Sequence, residues 1–395
     1  MTSKPSPGDD RPLTVAQVGM HLDPEPCSVD AVIAGRPGFG RSAAAAQDEH
    51  TRVVIVESAW EDAERQVDAV SCLFVREAGA PWIRLPGGRR VRRRPRRVFE
   101  RLAALAPDVI HFHGLTYPRE LRALATALPS VPVLAQDHGS GAPRGWRRVW
   151  YRWGFARLAG VTFTTRAQAM PFVAAGVIRS SVPIFEALAV SSRFTPGGQE
   201  AARAVTGLDG DPCLLWVGDL NARKDPLTML DAVAQAARDL PALRLHMCFQ
   251  QAPLLAAVRS RIVGDPVLAP RVRLLGALPR GAIEKHLQAA DFLVLSSHAE
   301  GCGAAVLEAL ACGTTPLVTD IPSFRRMTGD GVYGAMVPVG DAPGLALAIR
   351  DWSARDRPTL RRAARAHFER TLSFEVLGGE LRRAYRALRR TPGAK

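Results

Sequence analysis

Short, nearly continuous apolar runs alternate with helix-length stretches along most of this chain, and that alternation restricts its fold more than any other feature. In the first half the runs are LTVAQVGM (13–20), RVVIVES (52–58), AVSCLFV (69–75), DVIHFHG (108–114), VPVLAQDHG (131–139), VTFTT (161–165) and VPIFEAL (182–188). Helical stretches such as RRVFERLAALA (96–106) and PRELRALATAL (118–128) lie between them. Strands that are apolar at successive positions are covered on both faces, and strand–helix–strand alternation builds a parallel sheet. The pattern pauses at SSRFTPGGQEAARAVTGLDGDP (191–212), rich in glycine and small polar residues, and then restarts. The second set of strands is CLLWVGDL (213–220), RLHMCFQ (244–250), RVRLLGAL (271–278), FLVLSS (292–297) and TPLVTDI (315–321). The reading is two doubly wound α/β domains, 13–192 and 213–372, with 193–212 as linker. A last helix, FEVLGGELRRAYRALRR (374–390), lies in a 373–395 segment expected to cross back to the first domain, and the polar, proline-rich residues 1–12 read as disordered. Two such domains facing a central cleft suit a two-substrate enzyme, because ligands bind beyond the carboxyl ends of parallel strands.

The chain of 395 residues carries a formal charge of +14, and only four of its 52 basic residues are lysines: Lys4, Lys224, Lys285 and Lys395. A GC-rich genome explains an arginine bias of this kind without function; the functional readings are an anionic membrane surface, nucleic acid or phosphate-bearing substrates. The six cysteines form no C-x-x-C pair and read as reduced thiols. The N-terminus reads as neither a signal peptide nor an anchor, and no apolar run reaches the ~18 residues of a membrane span. The expected location is cytoplasmic.

HAEGCGAAVLEALACG (298–313) places Glu300 at the turn after a strand and Glu308 inside the following helix. The glycines around Cys302 let backbone approach a ligand closely, and the first N–H groups of a helix favour an anion. A carboxylate cannot bind phosphate, but it accepts hydrogen bonds from sugar or ribose hydroxyls. The alternative is a cap (Glu300) and a solvated helix position (Glu308), although Val306, Leu307, Ala309 and Leu310 surround the latter.

EGCGAAVLEALACGTTPLVTD resembles the E-G-F-G-x-x-x-L-E-A-M-A-x-G-x-P-V-V-A-T signature of the family 4 retaining glycosyltransferases, including the spacing of the two glutamates. The resemblance is strong over about 211–390, looser over 105–190 and weak before that. It implies the α/β GT-B fold, two Rossmann-like domains with a nucleotide-sugar between them. Residue by residue, it implies that Glu300 contacts the transferred sugar, that the backbone of Gly301, Cys302 and Gly303 approaches sugar and diphosphate, and that Glu308 holds the ribose. Cys302 stands where phenylalanine is usual. A second element, WVGDLNARKDPLTMLDA (216–232), resembles V-G-R-L-x-x-x-K-G/D, in which a strand ending at Gly218 leads to a lysine, here Lys224, beside the leaving diphosphate. The usual arginine after the glycine is Asp219, and Arg223 is the candidate substitute. The turn LLGALPRG (274–281) sits where relatives cradle the base.

In the first half, His138 best matches the family histidine that contacts the donor sugar, and His113 is second; a histidine at a strand end is otherwise a structural donor. Asp137 orients His138 or caps a turn. Gly19 is the candidate for the diphosphate-admitting glycine, since GRPGFG (35–40) comes late in the chain.

The expectation is a retaining hexosyltransferase that moves sugar from a nucleotide diphosphate to a hydroxyl acceptor in glycan biosynthesis, with His138, Glu300 and Lys224 as catalytic residues. No metal or other cofactor is required; the nucleotide-sugar is a co-substrate. The alternatives are a nucleotide-sugar epimerase and a non-catalytic sugar-nucleotide-binding protein. GGRRVRRRPRR (87–97) packs seven arginines between Arg89 and Arg97. It reads either as a solvated loop or as a peripheral dock on the inner membrane face near a lipid-linked acceptor. Nucleic acid is not an expected partner, since no aromatic interleaving accompanies the charge.

Overall fold

The computed structural model describes residues 11–22, 25–36, 38–77, 82–84, 90–92 and 95–389, the backbone alone for 82–84 and 90–92. The chain divides into two compact units, Met1–Ala189 with Phe374–Lys395, and Val190–Ser373. Unit 1 begins with β1 (Leu13–Gly19), α1 (Val29–Gly35), α2 (Arg41–Ala46), β2 (Thr51–Ala59), β3 (Ala63–Val67), β4 (Val70–Arg76), β5 (Trp82–Arg84) and β6 (Arg90–Arg92). It continues with α3 (Arg96–Leu105), β7 (Val109–His113), α4 (Pro118–Ala127), β8 (Val133–Gln136), α5 (Arg147–Phe155), β9 (Gly160–Phe163), α6 (Arg166–Ala174) and β10 (Ile184–Glu186). Unit 2 holds α7 (Gln199–Thr206), β11 (Cys213–Val217), α8 (Pro226–Ala236), β12 (Arg244–Cys248), α9 (Leu255–Val263), β13 (Val272–Gly276) and α10 (Arg280–Ala289). Then come β14 (Phe292–Leu295), α11 (Ala304–Cys312), β15 (Thr315–Thr319), α12 (Pro322–Thr328), β16 (Ala335–Val337), α13 (Ala342–Ser353) and α14 (Arg357–Thr371). The last helix, α15 (Phe374–Arg389), belongs to unit 1.

Most of the apolar runs became strands buried from both sides, as in β1, β2, β8, β14 and β15, while the edge strands β10 and β13 are only partly buried. In unit 1 the sheet order is β10-β9-β8-β7-β1-β2-β4-β3, parallel except for the edge hairpin β3–β4. In unit 2 it is β13-β12-β11-β14-β15-β16, parallel throughout. Each order reverses direction once, between β1 and β7 and between β11 and β14. A crevice opens at such a reversal beyond the carboxyl ends of the two strands. In unit 1 those ends are Gly19 and His113; in unit 2 they lead into Gly218 and Ser296.

Residues 193–212 are not an extended linker. α7 occupies their centre and packs on α10, with Ala202 buried. Gln199 Nε2 donates to Asp291 Oδ1 at 2.9 Å, and Arg203 Nη2 pairs with Asp291 Oδ2 at 2.9 Å. Two of the four glycines that suggested a linker are caps: Gly198 precedes the helix, and Gly207 ends it at φ +68°. In unit 1, α15 lies so close to α2 that a Cβ on Gly378 would overlap the Ala45 carbonyl oxygen at 1.8 Å.

Candidate functional site

The loop after β11 and the loop after β14 are locked together. Ser296 Oγ donates to the carbonyl of Asp225 at 2.6 Å, and the His298 amide donates to the Arg223 carbonyl at 2.8 Å. Asp225 caps α8 from a left-handed conformation, φ 52°. Burial pushes its carboxyl up, but bonds from the His298 ring at 2.9 Å and from Thr228 outweigh that and hold it below its ordinary value. This scaffold presents Lys224 to Glu300: Nζ donates to Oε1 at 2.5 Å, with side chains 13% and 8% exposed. The other oxygen of Glu300 accepts from Arg223 Nη1 at 3.0 Å, and the same nitrogen donates to the Ala299 carbonyl at 2.9 Å. An ammonium has three donors, and the Glu300 bond uses one of them. Gly218 sits beside the lysine stem, where a Cβ would lie 3.3 Å from Cε.

Asp219 does not face this pair as a substitute for the arginine of the resembled motif. Its carboxylate accepts the amide of Gln251 at 3.0 Å, tying the β11 loop to the one after β12.

Past Glu300, the chain turns through Gly301 and Cys302 to Gly303, the N-cap of α11 at φ +65°. A Cβ at Gly303 would sit 2.8 Å from the Phe324 ring, so both conformation and space demand glycine. The Val306 amide turns back to the Gly303 carbonyl at 2.9 Å, while the amides of Ala304 and Ala305 precede any carbonyl of the helix that they could bond. Cys302 Sγ contacts the Val190 carbonyl at 3.7 Å, a packing role.

From Val306 to Cys312, α11 is buried on every side. Glu308 is the one charged residue in that run. Burial pushes its carboxyl up, while the Arg280 guanidinium, 2.7 Å away at the start of α10, opposes the rise. Arg280 also lies over the Phe194 ring, 5.0 Å from its centroid. The simple solvated reading of Glu308 is therefore excluded, and Arg280 is a partner that the sequence did not single out.

In unit 1 the loop after β1 differs from expectation. The room left by Gly19 is filled by the Glu57 carboxylate, whose nearest oxygen would lie 1.9 Å from a Cβ there, and Arg36 pairs with Glu57 at 3.3 Å. The Gly19 position thus makes room for the Glu57 side chain.

His138 and His113 end a chain of hydrogen bonds that runs into the core. His113 Nδ1 meets His138 Nε2 at 3.1 Å, and His113 Nε2 meets Gln17 Oε1 at 3.2 Å. Gln17 Nε2 donates to Tyr385 Oη at 3.1 Å, and that hydroxyl lies 2.7 Å from His111 Nδ1. With Gln17 in this orientation the direction is fixed. His113 donates from Nε2, so its Nδ1 accepts from His138 Nε2–H. His138 is then left with a bare Nδ1 as a hydrogen-bond acceptor. Burial lowers His113 well below its ordinary value and takes His111 down to about 3. Loss of water lowers His138 as well, with Asp137 pulling the other way. Asp137 does not orient His138; its carboxylate caps the turn, accepting from the amides of Gly139 at 2.8 Å and Ser140 at 3.0 Å. Gln17 and Tyr385 were missing from the sequence reading, because nothing in a linear sequence joins positions 17, 113, 138 and 385.

Of the Arg89–Arg97 run, Arg89, Arg93 and Arg94 lie outside the described residues, and only the backbone of Arg90–Arg92 is described. Among the described residues, no cluster of three or more histidine, cysteine or acidic side chains is placed to hold a metal ion, and no helix is long and apolar enough to cross a membrane.

Comparison with known proteins agrees with this geometry. Residues 198–369 match the family model for glycosyl transferases group 1, and residues 42–182 match that for glycosyltransferase family 4. A D-inositol 3-phosphate glycosyltransferase of Geodermatophilus obscurus is 36% identical over 197 residues, covering 47% of this chain and 44% of that protein. The chain thus spans less than half the length of that relative. A GDP-mannose:cellobiosyl-diphosphopolyprenol alpha-mannosyltransferase of Xanthomonas campestris is 25% identical over 67% of this chain and 71% of its own. Among solved structures, Anabaena HepE in complex with UDP and glucose aligns at a TM-score of 0.67 and 14% identity, over 95% of this chain and 100% of that one. Sucrose-phosphate synthase from Thermosynechococcus elongatus aligns at 0.66 and 18% identity, over 95% and 99%. The chain belongs to the group 1, family 4 glycosyltransferases, and its two doubly wound units are the Rossmann-like halves of that family's GT-B fold.

Proposed function

We propose that the protein transfers a hexose-type sugar from a nucleotide-diphosphate donor to a hydroxyl acceptor with retention of anomeric configuration. The observation that carries this reading is the pairing of Lys224 with Glu300 at the strand reversal of unit 2, one turn of chain before a glycine-capped helix start. Lys224 and the first amides of α11 stabilise the negative charge that grows on the departing diphosphate. Gly218 leaves the lysine stem room, and Arg223 holds the second oxygen of Glu300. Glu300 accepts from hydroxyls of the transferred sugar, and the backbone of Gly301, Cys302 and Gly303 lets it approach. Glu308, held by Arg280, accepts from the ribose diol. His138 offers its bare Nδ1 to a sugar hydroxyl. His113 holds its ring. No metal is assigned a role, and the nucleotide-sugar is the only co-substrate.

Asp219 favours a second reading, a non-catalytic sugar-nucleotide binder, since an expected cation is replaced by a loop brace. One experiment separates the two. UDP-, GDP- and ADP-sugars are screened by thermal shift, and the donor that binds is then incubated with an acceptor panel while nucleoside diphosphate release is followed. Acceptor-dependent release, with the product's anomeric configuration retained by NMR, supports the transferase. Binding without release supports the binder, and conversion of the donor without acceptor identifies an epimerase.

A further inference from the structure

Helix α5, with its N-cap Trp146 and Leu158 just beyond it, carries two apolar stripes. Tyr151, Gly154, Phe155 and Leu158 face the core of unit 1, and a Cβ on Gly154 would sit 2.4 Å from Pro118 of α4. Trp146, Val149, Trp150 and Trp153 recur at the same helical spacing on another face and are 78%, 73%, 42% and 41% exposed. Four of the ten exposed large hydrophobic side chains among the described residues thus lie within eight positions. The rings of Trp150 and Trp153 stack, with centroids 4.9 Å apart.

The surrounding charge has one sign. No acidic residue occurs between Asp137 and Glu186, a stretch that contains seven arginines. Arg144, Arg147, Arg148 and Arg152 lie in α5 or just before it and are exposed. Beside it a surface pocket of about 430 Å³ is lined by Arg96, Phe99, Arg122 and Trp153, with the Arg122 guanidinium 5.8 Å from the Trp153 ring centre. Arg96, one of the two arginines of the run whose side chains are described, thus lies beside the tryptophan stripe.

We propose that this face of α5 docks on an anionic lipid bilayer, the indoles seated at the headgroup level and the arginines on lipid phosphates. An indole is apolar with one polar N–H and prefers that boundary, and each basic residue near an anionic leaflet adds attraction. A zwitterionic surface would leave the arginines uncompensated.

The test uses the full chain, without sugar donor, so its result is independent of the glycosyl-transfer reading. Co-sedimentation is measured with vesicles of phosphatidylcholine alone or mixed with phosphatidylglycerol. The wild type is expected to pellet with the anionic vesicles, with a blue shift of tryptophan emission, and to stay in solution with the neutral ones. Trp146→Ser/Trp150→Ser is expected to weaken partition about tenfold or more. Arg148→Gln is expected to weaken it about fivefold. Both variants replace exposed residues and are expected to melt with the wild type. A wild type that ignores anionic vesicles, as it would if the stripe bound an acidic protein, overturns the proposal. So does full vesicle binding by the double tryptophan variant.

Discussion

Replacing Lys224 by methionine tests whether its pair with Glu300 organises the unit 2 site. The side chains are 13% and 8% exposed, so the change takes from a buried carboxylate its most buried cation. Removing one partner of a buried ion pair costs ~3–5 kcal/mol. Arg223 remains at 3.0 Å on the other oxygen but is 51% exposed, which places the loss at the lower end, ~3 kcal/mol. At ~2–4 °C per kcal/mol for a unit of this size, unit 2 should melt ~6–12 °C lower in differential scanning calorimetry. Adding Glu300→Gln removes the buried charge and should restore stability to within ~1 kcal/mol of the wild type, because a neutral pair of similar volume avoids the desolvation cost. Turnover behaves differently. Both variants lack the cation that meets the leaving diphosphate, so both should lose ~10²–10³-fold in kcat, read as acceptor-dependent release of nucleoside diphosphate. A double variant as unstable as the single one would refute the buried pair. A double variant with native stability and native turnover would refute the catalytic role while leaving the pair intact.

Glu308→Gln should raise the KM for the nucleotide-sugar and leave Arg280 without its anion; Arg280→Met, keeping Glu308, should lower the melting temperature increasingly as pH rises above the ordinary glutamate value of 4.5, since the unfolded chain ionises there while the buried carboxyl resists ionisation without its partner. His111, with a folded value of about 3 against 6.5 for the free ring, refuses a proton that the unfolded chain accepts. Its contribution is therefore intact above pH 6.5 and lost as pH falls from there toward 3, about 2 kcal/mol by pH 5. His111→Gln should flatten that part of the calorimetric stability–pH curve. Tyr385→Phe removes the hydroxyl that receives Gln17, freeing the amide to rotate and His138 to change tautomer; the ring ¹⁵N shifts of His138 should report a tautomer mixture, and an unchanged spectrum would show that the chain of bonds does not set the tautomer.

Much of this architecture was legible because parallel sheets write themselves as apolar runs. All twelve expected strands have counterparts, and the loops that matter follow β11 and β14, where the sheet order reverses. What was missed has physical reasons. β3, AERQV, is an edge strand with exposed polar residues and so lacks the apolar signal. α7 was hidden by its own glycine caps. The Gln17–Tyr385 relay joins residues up to 368 positions apart, and the Arg280–Glu308 pair joins two helices, so neither leaves a local pattern.

Helix α5 shows the limit most clearly. Its spacing offers two apolar stripes of equal period, and periodicity reports that a face is apolar without saying what covers it. Gly154 decides the matter: only the stripe that contains it lets α5 close to contact with Pro118. The tryptophan stripe, with bulk at every position, faces outward, with only the Arg122 side chain of α4 lying over the Trp153 ring. The residue that selects the buried face is thus the one contributing no side chain, and a hydrophobicity count gives it no weight. Gly154→Ala would force α5 off Pro118 and should destabilise unit 1 by ~1–3 kcal/mol, measured by calorimetry, whereas Val149→Ser on the outward stripe should change stability by less than ~0.5 kcal/mol. Equal losses from the two substitutions would mean that the outward stripe is packed against protein and not open to a bilayer.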